Sequence, residues 1–124
     1  MIQIATDKAP AAIGPYCQAM VYNGMVFTSG QIPLDPQSGA IVGTTIEEQS
    51  RRVLENLTAV LQAAGSDTTK ALKTTCFLAD MADFAAFNTI YSEYFTGKPA
   101  RSCVAVKTLP KGVLVEVECV AAVE

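Results

Sequence analysis

The chain has 124 residues, a length that fits a single domain, 1–124, and buries about two-thirds of the unfolded surface without staples. Half of it is apolar and only 17% is charged, an excess that predicts apolar surface covered by another copy of the chain. A net charge of −3 with scattered Lys and Arg argues against nucleic-acid binding, and no apolar run approaches the ~20 residues of a membrane span.

Met1–Ala5 reads as a short strand, and Ala9–Tyr16 is too rich in Pro and Gly for either regular element. Gln18–Tyr22 and Met25–Ser29 are strand candidates joined by Asn23-Gly24. That dipeptide signals a hairpin, because both central residues of a type I′ turn need positive φ. Gly30–Gly43 reads as connecting loop with room for a short strand. Thr45-Ile46-Glu47-Glu48 is a capping box opening a helix over about 46–64, with Gly65 as its stop.

Ala71–Leu78 is rich in β-formers and reads as a strand. Asp80 or Asp83 then caps a second helix, whose Phe84, Phe87, Tyr91, Tyr94 and Phe95 form an aromatic stripe read as core packing. After Gly97-Lys98-Pro99, strands over Arg101–Lys107 and Val113–Val123 flank Leu109-Pro110-Lys111-Gly112. Strands, helix, strand, helix and strands make an α+β domain with both helices on one sheet face.

There is no histidine, and Cys17, Cys76, Cys103 and Cys119 show no C-x-x-C spacing. A zinc site and a histidine-activated nucleophile are therefore not expected; the thiols read as reduced, in a cytoplasmic protein without a signal peptide. Asn56-Leu57-Thr58 matches a glycosylation sequon but falls inside a predicted helix. Neither a Walker loop nor a G-x-G-x-x-G is present for phosphates.

Strand alternation places Glu116 and Glu118 on one face of the last strand, and Arg101 and Cys103 on one face of theirs. Solvent is the simplest environment for both pairs. A hairpin register bringing the two faces together would instead unite a guanidinium and a carboxylate, and this turn does not fix the register. Such a pair would grip a small carboxylate through a planar fork and direct water at the neighbouring carbon.

APAAIGPY (9–16), VFTSGQIP (26–33), ARSCV (100–104) and LPKGVLVEVE (109–118) resemble the RidA group of the Rid family, the reactive intermediate deaminases. The likeness runs nearly end to end, through FLADMADFAAFNTIYSEYF (77–95). It implies a chorismate-mutase-like fold, a mixed sheet backed by two helices, assembled as a homotrimer with sites between subunits. It implies hydrolysis of 2-imino or enamine acids to 2-keto acids and ammonia, with no cofactor or metal, no nucleic acid and no membrane.

Position by position, Arg101 matches the arginine that clamps the substrate carboxylate, and Glu116 the glutamate that positions or activates water. Tyr16, Ser29, Gly30, Asn88 and Cys103 match pocket residues, Gly30 through its backbone and Cys103 as a wall rather than a nucleophile. The segment Thr96–Ala100 is several residues shorter than the family pattern, which bears on the pocket rim. A regulatory trimer that binds a small carboxylate without turnover is the alternative. A ribonuclease fits an acidic chain without histidine poorly.

Overall fold

The computed structural model describes residues 1–124. Its core is a six-stranded sheet with the order β1-β2-β3-β6-β4-β5. The strands are β1 (Ile2–Ile4), β2 (Ala19–Tyr22), β3 (Met25–Thr28), β4 (Ala71–Leu78), β5 (Ala100–Ala105) and β6 (Val115–Ala122). Helices α1 (Ile46–Ala63) and α2 (Phe84–Tyr94) pack on one face and on each other. All pairings are antiparallel except β4–β5, whose ends are joined across α2, so the sheet is mixed as expected.

The local signals act as physics predicts. Asn23 and Gly24 both take positive φ, of 51° and 73°, and close the β2–β3 hairpin. The Thr45 hydroxyl accepts from the Glu48 N–H while the Glu48 carboxylate accepts in return from Thr45. Asp80, not Asp83, supplies the cap ahead of α2: its carboxylate accepts from the Ala82 N–H within a 3₁₀ turn, Met81–Asp83. Asp83 makes no side-chain cap.

The core lies between the sheet and the helices. Val53, Leu54, Leu57, Val60 and Leu61 of α1 meet Val26, Cys76, Leu78, Val115 and Val117 of the sheet, all fully buried. Truncating one such leucine to alanine costs about 2–5 kcal/mol. Phe87, Tyr91 and Phe95 of the aromatic stripe enter this core, whereas Phe84 and Tyr94 are only half-buried.

The other sheet face has no helix. It carries exposed Tyr22, Phe27 and Val104, with half-buried Met20, Met25, Phe77 and Val120 beside them. Part of the chain's apolar excess is thus exposed on this face, beside Glu116 and Glu118. No helix is long and apolar enough to cross a membrane.

Candidate active site

The register decides how the candidate residues meet. Arg101 pairs with Thr74 and Cys103 with Cys76, and both β4 residues are buried beneath the helices. Glu116 instead pairs with Phe77, and Glu118 with Thr75, on the opposite face. β5 and β6 are moreover not a hairpin, since β4 lies between them. The convergence of Arg101 with Glu116 that a hairpin would permit therefore does not occur within one chain.

The structure gathers the candidates into two half-sites. In the first, Arg101 is half-buried at the start of the edge strand β5 and donates from Nη1 to Asn88 Oδ1 at 2.7 Å. Asn88, Tyr91, Ser92, Phe95, Lys98 and Pro99 line a cavity with it of about 330 Å³. The ion pairs of the chain are Arg51–Glu93 and Arg52–Glu55, so Arg101 has no carboxylate partner of its own. A permanent cation held in place without a counter-ion is poised for an anion.

Lys98 and Pro99 of the segment 96–100 form one wall of this cavity. Lys98 adopts a left-handed φ of 53° and its N–H donates to the Phe95 carbonyl, so the loop turns tightly off α2 into β5. Cys103 shares the face of Arg101, but burial pushes its thiol up despite the nearby guanidinium. Burial likewise drives Cys76 and Cys119 to about 12. A thiol shifted upward forms less of the nucleophilic thiolate at neutral pH.

In the second half-site, Gly30 lies against Glu116. A Cβ at position 30 would stand 2.8 Å from Glu116 Cδ and 3.1 Å from Cγ, and would collide with Oε2. The contribution of Gly30 is thus the space for a carboxylate, in addition to the backbone that the resemblance assigns it. Burial raises the Glu116 carboxyl above the ordinary range, and neighbouring Glu118 adds to the shift. A carboxylate moved in that direction is a better proton acceptor at neutral pH.

One backbone pairing and three side chains from the rest of the fold hold this half-site. Gln31 exchanges backbone hydrogen bonds with Val117, docking the Gly30 loop on β6. Asn56 of α1 donates to the carbonyls of Ile32 and Leu34, and Gln49 ties the Leu114 N–H to the Gly43 carbonyl. Gln18, almost fully buried, bonds Thr6, Ala9 and Pro10 and so fixes the loop that carries Tyr16. Glutamines and asparagines in the sequence gave no periodic signal by which to single these out.

Tyr16 is exposed and, with Gly30, Ile13, Ile32, Leu34 and Lys111, lines a cavity of about 480 Å³. Ser29 spends its hydroxyl on the Cys17 carbonyl at 2.6 Å, which makes it a strut of the loop. Phe84 and Tyr91, read from their spacing as core, also contact Arg101, at 5.4 and 4.8 Å from ring centroid to Cζ. Their spacing with Asn88, at i, i+4 and i+7, is the signal that marks them as one stripe with it.

Residues 6–123 match the family described as Endoribonuclease L-PSP. The chain is 49% identical over 122 residues to a 2-iminobutanoate/2-iminopropanoate deaminase of Salmonella typhimurium, covering 95% of this chain and 94% of the relative. A RutC family protein of Synechocystis sp. is 56% identical over 121 residues, covering 95% and 93%. Among solved structures, E. coli TdcF with bound serine superposes with a TM-score of 0.94 at 43% identity, each chain covered in full.

Proposed function

The chain belongs to the Endoribonuclease L-PSP family, which includes the Rid deaminases, and from that premise we propose that it hydrolyses 2-imino acids to 2-keto acids and ammonia. The observation that carries the reading is the pairing of unmatched groups: a preset guanidinium without an anion, and a half-buried carboxylate with a raised pKa. The name of the Salmonella relative and the serine bound to TdcF both support a small amino-acid-like carboxylate as ligand.

Because Arg101 and Glu116 occupy opposite sheet faces, a complete site takes Arg101 from one copy and Glu116 from another. The helix-free face, with Tyr22, Phe27 and Val104 exposed, is the surface through which copies associate, as a homotrimer. Arg101 grips the substrate carboxylate and sets the 2-carbon near Glu116. Tyr16 and Cys103 shape the cavity around it.

The chemistry follows from charge. A protonated imine is electrophilic at C2, and Glu116 takes a proton from the water whose oxygen bonds to that carbon. The proton returns to nitrogen in the tetrahedral adduct, the C–N bond breaks, and the hydroxyl proton leaves with ammonia as the keto group forms. Positioning and charge stabilisation supply the acceleration.

The test is keto-acid release from the imine formed by an amino-acid dehydratase, with wild type, Arg101→Ala and Glu116→Gln. Acceleration by wild type, strongly reduced in both variants, is the expected result. No acceleration over spontaneous hydrolysis refutes the deaminase; keto-acid binding retained in that case identifies a regulatory carboxylate-binding trimer instead.

A further inference from the structure

Two members of the aromatic stripe do more than fill the core. Phe84, Asn88 and Tyr91 project from one side of α2 toward the start of β5. The Arg101 Cζ lies 4.8 Å from the Tyr91 centroid and 5.4 Å from that of Phe84, while Asn88 accepts from Nη1. A guanidinium within about 6 Å of ring faces is drawn to their negative surface.

Tyr91 is itself anchored from three directions. Its hydroxyl is hydrogen-bonded to Thr74 at 2.6 Å, its ring stacks on Phe95 at 4.5 Å, and Phe87 tilts against it at 5.6 Å. Thr74 is fully buried and is the register partner of Arg101. The same strand pair that carries the guanidinium therefore fixes the ring facing it.

We propose that Tyr91 and Phe84 are positioning residues for Arg101, holding its guanidinium by cation–π contact while Asn88 occupies one N–H and leaves the others for a ligand carboxylate. The inference rests on the reading of Arg101 as a carboxylate clamp. It assigns the rings a role beyond packing: without them the arginine remains charged but loses the orientation that makes it a fork. A phenylalanine at 91 preserves the role and an aliphatic residue does not.

The experiment is calorimetric titration of the assembled protein with 2-oxobutanoate, the keto acid of the proposed reaction. Tyr91→Leu is expected to weaken binding roughly 5- to 10-fold, within the range of one partly desolvated cation–π contact, and Tyr91→Phe less than about twofold. Introduced into Arg101→Ala, Tyr91→Leu adds no further loss, because its effect passes through the arginine. A ring with a merely structural role would give equal losses in both backgrounds, and that result overturns the inference.

Should Tyr91→Leu fail to fold, the half-buried Phe84→Leu carries the same cycle, with an expected loss of roughly 2- to 5-fold. Arg101→Ala that binds as tightly as wild type refutes the clamp and this inference together. A functioning clamp indifferent to both ring substitutions refutes this inference alone.

Discussion

Glu116 folds its carboxylate into the space that a side chain at position 30 would fill, so Gly30 and Glu116 behave as one unit. Gly30→Ala meets the movable end of a glutamate rather than backbone, and the residue does not sit at positive φ. The fold therefore survives and Glu116 moves. Imine hydrolysis by Gly30→Ala is expected to fall about 100-fold, as for loss of a general base, with the melting temperature changed by only a few degrees. Paired kinetics and calorimetry check this; unchanged activity refutes the unit.

Glu116→Gln tests the electrostatic side of the same pair. Burial raises the Glu116 pKa, so ionisation is costlier in the folded chain than in the unfolded one. The stabilising contribution of the protonated form is complete below the ordinary value of 4.5 and is lost as pH rises through the folded pKa. Glu116→Gln is therefore expected to be more stable than wild type at pH 7, with the difference closing toward pH 4, about the ordinary glutamate value. Activity should fall about 100-fold. Urea denaturation at several pH values, beside rate measurements, reads both.

Arg101→Lys keeps the charge but not the planar fork, the bond to Asn88 in its present geometry or the ring contacts. Its KM for the imine is expected to rise about 30-fold, nearly as much as for Arg101→Ala. Asn88→Ala, which frees one N–H without removing the guanidinium, should raise KM only about 5-fold, the worth of one hydrogen bond. Steady-state kinetics decide; a lysine variant equal to wild type shows that charge alone suffices.

Phe27 stands exposed in the middle of the helix-free sheet face. Under the proposed trimer, Phe27→Lys is expected to convert an assembly of three times the 13.1 kDa chain mass into single chains, seen by analytical ultracentrifugation. Imine hydrolysis should disappear with it, since in the proposed assembly neither half-site is complete alone. Active single chains would exclude the shared site.

Most of the fold was legible because its signals are local. Asn23-Gly24, the Thr45–Glu48 box and Gly65 each dictate a backbone conformation within a few residues. What escaped was long-range. That β4 inserts between β5 and β6 depends on how α2 returns the chain to the sheet, and no residue near Leu109–Gly112 encodes it. The candidate site residues came from the family resemblance, while the placement of Arg101 and Glu116 on opposite faces was visible only in the register. The ring contacts to Arg101 escaped because apolar spacing looks the same whether a ring meets leucine or guanidinium.

The separation of Arg101 and Glu116 by the thickness of the sheet has a consequence in genetics. Under the proposed assembly, a chain lacking the arginine still lends its glutamate to a neighbour, and a chain lacking the glutamate still lends its arginine. Two alleles, each dead by itself, would therefore complement in the same cell by forming mixed oligomers in which some junctions unite the two intact halves. Conversely, a single chain carrying both lesions would spoil the junctions on either side of it and behave as a dominant poison.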